Sequence, residues 1–164
     1  IVAFSRSFHA LLEPDIFVTK TSVSFNDGLS GGFALPGGTV DYLITVQNNG
    51  NAPPNHDSVI ITETLPSELA FVVNDFGGPG SGPLQYADGS PASGLICPFT
   101  NLASTTDCFS FSTDGTNFNH IPSDIGDGTD PAVTHVRIQP TGFMAPDTGS
   151  GATSFTLRFK GKID

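Results

Sequence analysis

The sequence predicts an all-β protein: an immunoglobulin-like antiparallel β-sandwich with a strand extension in front of it. Three observations support this fold class. Apolar and polar residues alternate in short runs, Gly and Pro are plentiful at 19 and 13 residues, and helical periodicity is almost absent. Turn residues recur about every 8–12 positions, which is typical of sandwiches and also allows a jelly-roll variant.

The predicted strands follow one another through a single domain, residues 15–164, which an extension, residues 1–14, precedes. The clearest runs are DIFVTKTSVSF (15–25), TVDYLITVQN (39–48) and TSFTLRFKGKI (153–163). In the last run Phe155, Leu157 and Phe159 are expected to face the core, because alternate residues of a strand point to opposite sides. Residues 77–94 are expected to form a loop. The remaining strands are expected in SVIITETLP, LAFVVNDF, GLICPF, DCFSFS, NFNHI and AVTHVRIQP, for a total of eight to ten.

The stretch between the second and third strands is predicted to be a turn. Asn49, Gly50 and Asn51 tolerate positive φ, and Pro53-Pro54 cannot continue a hydrogen-bonded ladder. The following run ends at Leu65-Pro66. Nothing in this stretch is chemically reactive.

The same stretch, ALPGGTVDYLITVQNNGNAPPNHDSVIITETLPSELAFV, resembles a bacterial surface repeat known as domain of unknown function family eleven. The resemblance extends over roughly residues 15–163. It implies an immunoglobulin-like sandwich in an extracellular or cell-surface protein and implies no catalytic residues. Glu63 stands where the family usually has Asp. The residues that match the family pattern are Pro36, Gly37, Tyr42, Asn48, Gly50, Asn51, Ala52, Thr64, Leu65 and Pro66.

Composition and charge argue against several classes of partner. Charged residues make up 13% of the chain, about half the usual share, and the net charge is −10. Phosphate backbones are bound by clustered cations, so nucleic acid is not an expected partner. Arg158, Lys160 and Lys162 alternate along a strand and read as a solvated face. No apolar run is long enough to span a membrane, and the chain starts at Ile rather than Met, so a processed, secreted protein is expected.

The two cysteines are expected to form a disulfide. Cys97 and Cys108 lie eleven positions apart and have neither a CxxC motif nor zinc-ligand spacing. A pair of free thiols is the alternative. A disulfide would indicate an oxidising compartment, which agrees with secretion to the exterior or the cell surface.

No motif predicts an enzyme. GLSGG (28–32) matches the nucleophile-elbow pattern, but no helix is expected after it, and GGPGSG (77–82) lacks the Lys-Ser/Thr of a phosphate loop. The four histidines share no metal-binding spacing. With calcium as the one exception, no cofactor is therefore expected.

Calcium is the one metal that the sequence leaves open. An acid-rich stretch, STDGTNFNHIPSDIGDGTDP, contains Asp114, Asp124, Asp127 and Asp130. Carboxylates on a loop are ligands that Ca²⁺ prefers, although the spacing is not that of an EF-hand. Aspartate is also favoured in turns through its hydrogen bonds to backbone N–H groups.

The first twelve residues, IVAFSRSFHALL, suggest how the protein functions. Their even positions carry four apolar anchors, Val2, Phe4, Phe8 and Leu12, and Pro14 then breaks the run. One interpretation is an edge strand that pairs within its own domain. The other is a donor strand that completes the sheet of a neighbouring copy, where ladder bonds give affinity and alternate side chains give register.

These features together predict a structural subunit of an extracellular, pilus-like filament or surface layer. Copies of the protein would be the partners, joined head to tail by residues 1–12. The alternative is an adhesin or carbohydrate-binding module that uses its Asp/Gly-rich loops, with or without calcium, to hold a glycan or cell-surface ligand.

Overall fold

The computed structural model of the protein describes residues 11–29 and 31–164. In these residues the chain forms nine β-strands and no helix, which confirms the all-β prediction. The strands are β1 (Ile16–Asn26), β2 (Thr39–Asn48), β3 (Ile61–Thr64), β4 (Leu69–Val72), β5 (Leu84–Asp88), β6 (Phe109–Ser112), β7 (Thr129–Asp130), β8 (His135–Ile138) and β9 (Thr153–Ile163).

The strands form two antiparallel sheets. The larger sheet has the order β1-β2-β9-β4-β7, and β5 also pairs with β9. The whole length of β2 pairs with one edge of β9, whereas β4, near Ile163, and β5, between Phe155 and Phe159, share the other edge. The smaller sheet has the order β3-β8-β6. The long strand β9 is therefore the centre of the larger sheet.

Alternation along β2 and β9 creates the inner face of the larger sheet. Phe155 and Leu157 are fully buried and Phe159 is 2% exposed, as the pattern of the last run predicts. Ile44 and Val46 of β2 belong to the same buried cluster. These side chains bury their apolar surface in the core, while their polar neighbours on the same strands face outward.

The two sheets face each other across one core. Phe71 of β4 and Phe111 of β6 come from different sheets, and their ring centroids lie 5.4 Å apart. Ile138 of β8 packs in the same buried cluster as Ile44 of β2. A core shared by two antiparallel sheets is the arrangement of a β-sandwich. The immunoglobulin-like strand order stays a prediction, as does the jelly-roll variant.

Three details of the predicted strands are wrong. The expected loop at residues 77–94 contains β5, because Leu84 is buried and Tyr86 stacks on Phe155 with ring centroids 5.3 Å apart. The runs GLICPF and NFNHI each form only a single bridge. Both are cut short by proline, Pro98 and Pro122, which cannot donate to a ladder.

The predicted disulfide is present. Cys97 and Cys108 are bonded to each other, with Cα atoms 5.1 Å apart. The bond ties the residue before β6 to the segment that follows β5, and Cys108 is buried at the border of the core. Among the described residues no helix is long and apolar enough to cross a membrane.

Candidate assembly site

The chain enters β1 along an extended path. Residues 11–15 contain no turn. The Asn51 side chain holds them in place, because its Oδ1 accepts from the Glu13 N–H at 2.9 Å and its Nδ2 donates to the Leu11 carbonyl at 3.0 Å. The side chains of Leu11 and Leu12 are nevertheless 73% and 70% exposed. This short segment, residues 11–15, is called the root below.

The Asn-x-Gly-Asn motif at residues 48–51 builds the socket for the root. Asn48 is fully buried, and its Oδ1 accepts from the N–H groups of Asp15 at 3.1 Å and Gly50 at 3.0 Å. Its Nδ2 donates to two backbone carbonyls, so its polar groups are satisfied. A Cβ on Gly50 would lie 2.3 Å from the Glu13 carbonyl oxygen, so the root packs directly against this glycine. The motif that the sequence indicates as a turn therefore also anchors the residues before β1.

Strand β1 is the most exposed strand of the sandwich. Ten of its eleven residues are exposed and one is half-buried. Ile16 and Val18 lie opposite Asn48 and Val46 of β2 and so face inward. They are nevertheless 40% and 49% exposed, whereas Val46 is 1% exposed. The core covers the inner face of β2 fully but that of β1 only in part, so β1 extends the larger sheet beyond the core.

The outer edge of β1 is unpaired among the described residues. Within residues 11–29 and 31–164, β2 is the only strand that pairs with β1. Unpaired edge backbone is a template for another strand, and folded proteins usually blunt or cover it. Here the pairing with β2 is regular from Ile16 to Ser22, and a bulge follows between Ser22 and Ser24. The regular part therefore presents seven residues of accessible backbone.

One ion pair links β1 to the smaller sheet. The Lys20 ammonium of β1 contacts the Glu63 carboxylate of β3 and lies 4.3 Å from the ring centroid of Tyr42. The side chains of Lys20 and Glu63 are 32% and 12% exposed. Only the Oε1 atom of Glu63 takes part in the hydrogen bonds of the described residues. Four residues form the open edge on this side of the sandwich: Ile16, Val18, Lys20 and Glu63.

The opposite side of the sandwich is closed. The His120 N–H donates to the Phe111 carbonyl at 3.1 Å and thereby covers β6, while its Nε2 lies 2.8 Å from a carboxylate oxygen of Asp130 in β7. Asp130 is 3% exposed and also accepts from the Ser123 N–H at 2.9 Å. Burial raises the pKa of Asp130, but its hydrogen bonds outweigh that effect and leave the pKa below its usual value. The two sheets are thus joined at this side by a buried polar contact.

Of the four aspartates named for calcium, Asp114, Asp124 and Asp127 lie in loops and Asp130 lies in β7. Asp114 and Asp124 accept hydrogen bonds from backbone N–H groups that follow them in the chain. The Lys162 ammonium donates to Asp127 at 2.5 Å and lowers the pKa of that carboxyl to about 2. Asp130 faces His120 instead. Across the described ranges, no group of three or more His, Cys, Asp or Glu side chains is arranged to hold a metal ion. The calcium alternative therefore gains no support from this arrangement.

A polar groove of about 330 Å³ runs beside β6. Asp107, Phe118, His120 and Gln139 contribute to its lining. The guanidinium of Arg137 stacks on the Phe118 ring at 3.6 Å. The sequence gives no sign of this stacking. The groove combines hydroxyl, carboxylate and aromatic groups.

Of the predicted assembly anchors, Leu12 is described and exposed. Val2, Phe4 and Phe8 lie outside the described residues. The predicted disulfide cysteines are bonded, as above. The structure adds the open edge, which the sequence does not single out.

Comparisons with protein-family models, with curated proteins and with solved structures found no match. The resemblance to the bacterial surface repeat therefore stays a prediction. In its described residues the protein is an all-β chain of two antiparallel sheets with one disulfide, and its strand β1 is exposed at the edge of the larger sheet.

Proposed function

We propose that this protein is a structural subunit of an extracellular filament or surface layer. Copies join by donor-strand complementation, in which residues 1–12 of one copy add a strand to the sheet of the next. The observation that supports this most strongly is the free edge of β1, with Ile16 and Val18 half-exposed on its inner side.

The open edge has the two properties that strand addition requires. Backbone N–H and C=O groups of β1 offer a ladder, and Ile16 and Val18 offer apolar surface that an added strand would cover. The apolar residues at even positions of the segment, among them Phe4 and Phe8, supply the complementary surface. Burial of apolar area from both partners then drives the association.

The root favours pairing between copies over pairing within one copy. Pairing of residues 1–12 with their own β1 would make a hairpin, which requires the chain to reverse just before Ile16. Residues 11–15 contain no turn and are fixed by Asn51, so they continue the line of β1 instead. A reversal further back would leave fewer residues to pair with β1.

Composition and the disulfide agree with this role. A charged fraction of 13% lowers the cost of packing subunits closely. The Cys97–Cys108 disulfide is compatible with an oxidising, extracellular setting.

Electron microscopy and sedimentation of the full chain test the proposal beside a version that starts at Glu13. We expect fibres from the full chain and small, folded particles from the shorter version. Phe4→Asp with Phe8→Asp should abolish fibres and spare the circular dichroism spectrum. Ser5→Asp with Ser7→Asp, on the other face of the segment, is the matched control and should leave fibres. Monomers of the full chain at high concentration would refute the proposal.

One observation favours the alternative function, glycan binding. The polar groove beside β6 places Asp107 and Gln139 near the Phe118 ring, a mixture of groups that suits a sugar. Titration of the monomer with a glycan library, with and without a calcium chelator, tests this role. Loss of retention after Phe118→Ala, with no change in fibres, would assign binding to the groove.

A further inference from the structure

We infer that the donor strand pairs with the free edge of β1 and runs parallel to it, with Val2 level with Ile16. This inference rests on the proposed function and specifies which edge accepts the donor, in which direction and in which register.

The acceptor is β1 rather than β3. In the described part of the chain both strands have one unpaired edge, because β3 pairs with β8 alone. β3 has only four residues, whereas β1 has eleven. The alternating stretch of the segment, Val2 to Leu12, also has eleven residues, so only β1 offers a ladder of comparable length. The half-exposed apolar side chains that an added strand would cover, Ile16 and Val18, also lie on β1.

The direction follows from the root. Residues 11–15 continue the line of β1. In the proposed filament the segment therefore leaves its own copy at the end where β1 begins. In a head-to-tail filament the next copy has the same orientation and presents the far end of its own β1 first. The segment then runs along that β1 in the same chain direction. Parallel pairing is therefore the signature of exchange between copies, while a hairpin within one copy would be antiparallel.

The register follows from matching faces and charge. With Val2 beside Ile16, Phe4 lies beside Val18 and Phe8 beside Ser22, the last residue before the bulge. Arg6 then lies level with Lys20, near the Glu63 carboxylate.

Arg6 is the only charged residue of the segment, counting His as neutral. Without it, five basic residues stand against sixteen acidic ones, so residues 13–164 carry a formal charge of −11. A positively charged donor therefore meets an acidic acceptor. The Oε2 atom of Glu63 has no hydrogen-bond partner among the described residues, and the guanidinium of Arg6 supplies one.

Cysteine crosslinking between two populations of full-length chain tests edge and direction together. One population carries Ala3→Cys or His9→Cys in the donor; the other carries Phe17→Cys, Ser24→Cys or Thr62→Cys in the acceptor. Phe17 and Ser24 are exposed, and seven residues of strand separate them by about 23 Å, far beyond the reach of one disulfide. Thr62 probes β3. Mixed fibres are resolved on non-reducing gels, and linked peptides are identified by mass spectrometry.

We expect dimers from Ala3→Cys with Phe17→Cys and from His9→Cys with Ser24→Cys. Dimers from the two exchanged combinations would overturn the parallel direction, and dimers with Thr62→Cys alone would overturn the choice of β1. Fibres without any crosslink would overturn the whole inference and leave the proposed function standing. A link within one chain of the double variant Ala3→Cys and Ser24→Cys, with no fibres from the wild type, would refute both.

A double-mutant cycle tests the register. Arg6→Gln is expected to raise the critical concentration for fibres by about fivefold, the size of a favourable, partly buried ion pair. In a Glu63→Gln background the same substitution should not raise the critical concentration, because the partner charge is gone and only the repulsion between Arg6 and Lys20 is removed. Equal effects in both backgrounds would show that Arg6 does not meet Glu63. Unfolding of each variant in urea separates this coupling from loss of fold.

Discussion

Two valines opposite each other in the larger sheet allow folding and assembly to be separated. Val18 of β1 and Val46 of β2 are direct partners in the ladder, yet Val18 is 49% exposed and Val46 is 1% exposed. Replacement of each by Ala removes the same two carbons. The difference between the two variants therefore measures how much the exposed half of Val18 contributes to assembly rather than to folding.

The expected sizes follow from burial. Each pair of carbons is worth about 1.6 kcal/mol when fully buried. Val46→Ala loses all of this and leaves a cavity, so the free energy of unfolding should fall by about 2–3 kcal/mol. Val18→Ala should lower it by about 0.8 kcal/mol, since only half of the side chain is covered. The other half, about 0.8 kcal/mol, is gained only when a donor strand covers it, which corresponds to a roughly fourfold higher critical concentration.

The assay has two readouts on the same full-length protein. Urea unfolding below the critical concentration gives the stability of the monomer, and pelleting across a concentration series gives the critical concentration. Val46→Ala should change mainly the first readout, whereas Val18→Ala should change both, each by about 0.8 kcal/mol. If Val18→Ala forms fibres at the wild-type concentration, β1 does not accept the donor. If it destabilises the monomer as much as Val46→Ala, the β1 edge is covered within one copy.

Three further predictions concern stability and the root. Replacement of both cysteines by Ser should lower the free energy of unfolding by about 3 kcal/mol, the loop-closure value for eleven positions, and reductant should reproduce the loss in the wild type. The pKa of Asp130 is lower in the folded state, so its stabilising contribution is present above the unfolded pKa and is lost as pH falls through the folded pKa. Urea unfolding from pH 5 to pH 2 should show a loss of stability, and Asp130→Asn should make that loss smaller, while the other aspartates with lowered pKa values keep their share. Gly50→Ala should displace the root at Glu13 and impair fibre formation, as scored by electron microscopy, whereas Gly78→Ala, with open space around it, should not.

The long strands could be predicted from sequence because alternation determines them directly. β2 and β9 have the predicted bounds, and β1 is shifted by one residue. In β9 every second residue is apolar, and only one face of such a strand fits a core. β5 could not be predicted in this way, since five residues after a Gly/Pro-rich run show too little pattern. It pairs because the edge of β9 beyond β4 is available and Leu84 fits the core.

The candidate site shows the limit of the same reasoning. The segment 1–12 is visible in sequence as an alternating run, but the open edge is not. Ile16 and Val18 alternate as any core-facing pair would, and their exposure depends on how far the smaller sheet extends. That extent is set by where β3 pairs, a tertiary property. The socket of Asn48 and Gly50 around the root was hidden for the same reason, although the motif itself was visible.

The two sides of the sandwich differ in a way that bears on assembly. At the closed side, His120 and Asp130 join the sheets, and the segment containing His120 covers the edge of β6. At the open side, the Lys20–Glu63 pair joins the sheets. Among the described residues no strand covers the outer edge of β1. Among the described residues β1 is the longest strand with an unpaired edge, so in the proposed filament a subunit accepts one donor strand there, and its single segment serves one neighbour. Such a heterologous contact builds an open filament unless the rotation between copies closes it into a ring, and the straight root opposes a fold-back within one copy. In the proposed filament β1 accepts the donor strand of one neighbour, and its own chain continues into the donor strand that binds the other neighbour. Each junction therefore transmits load directly from the ladder of one copy into the backbone of the next.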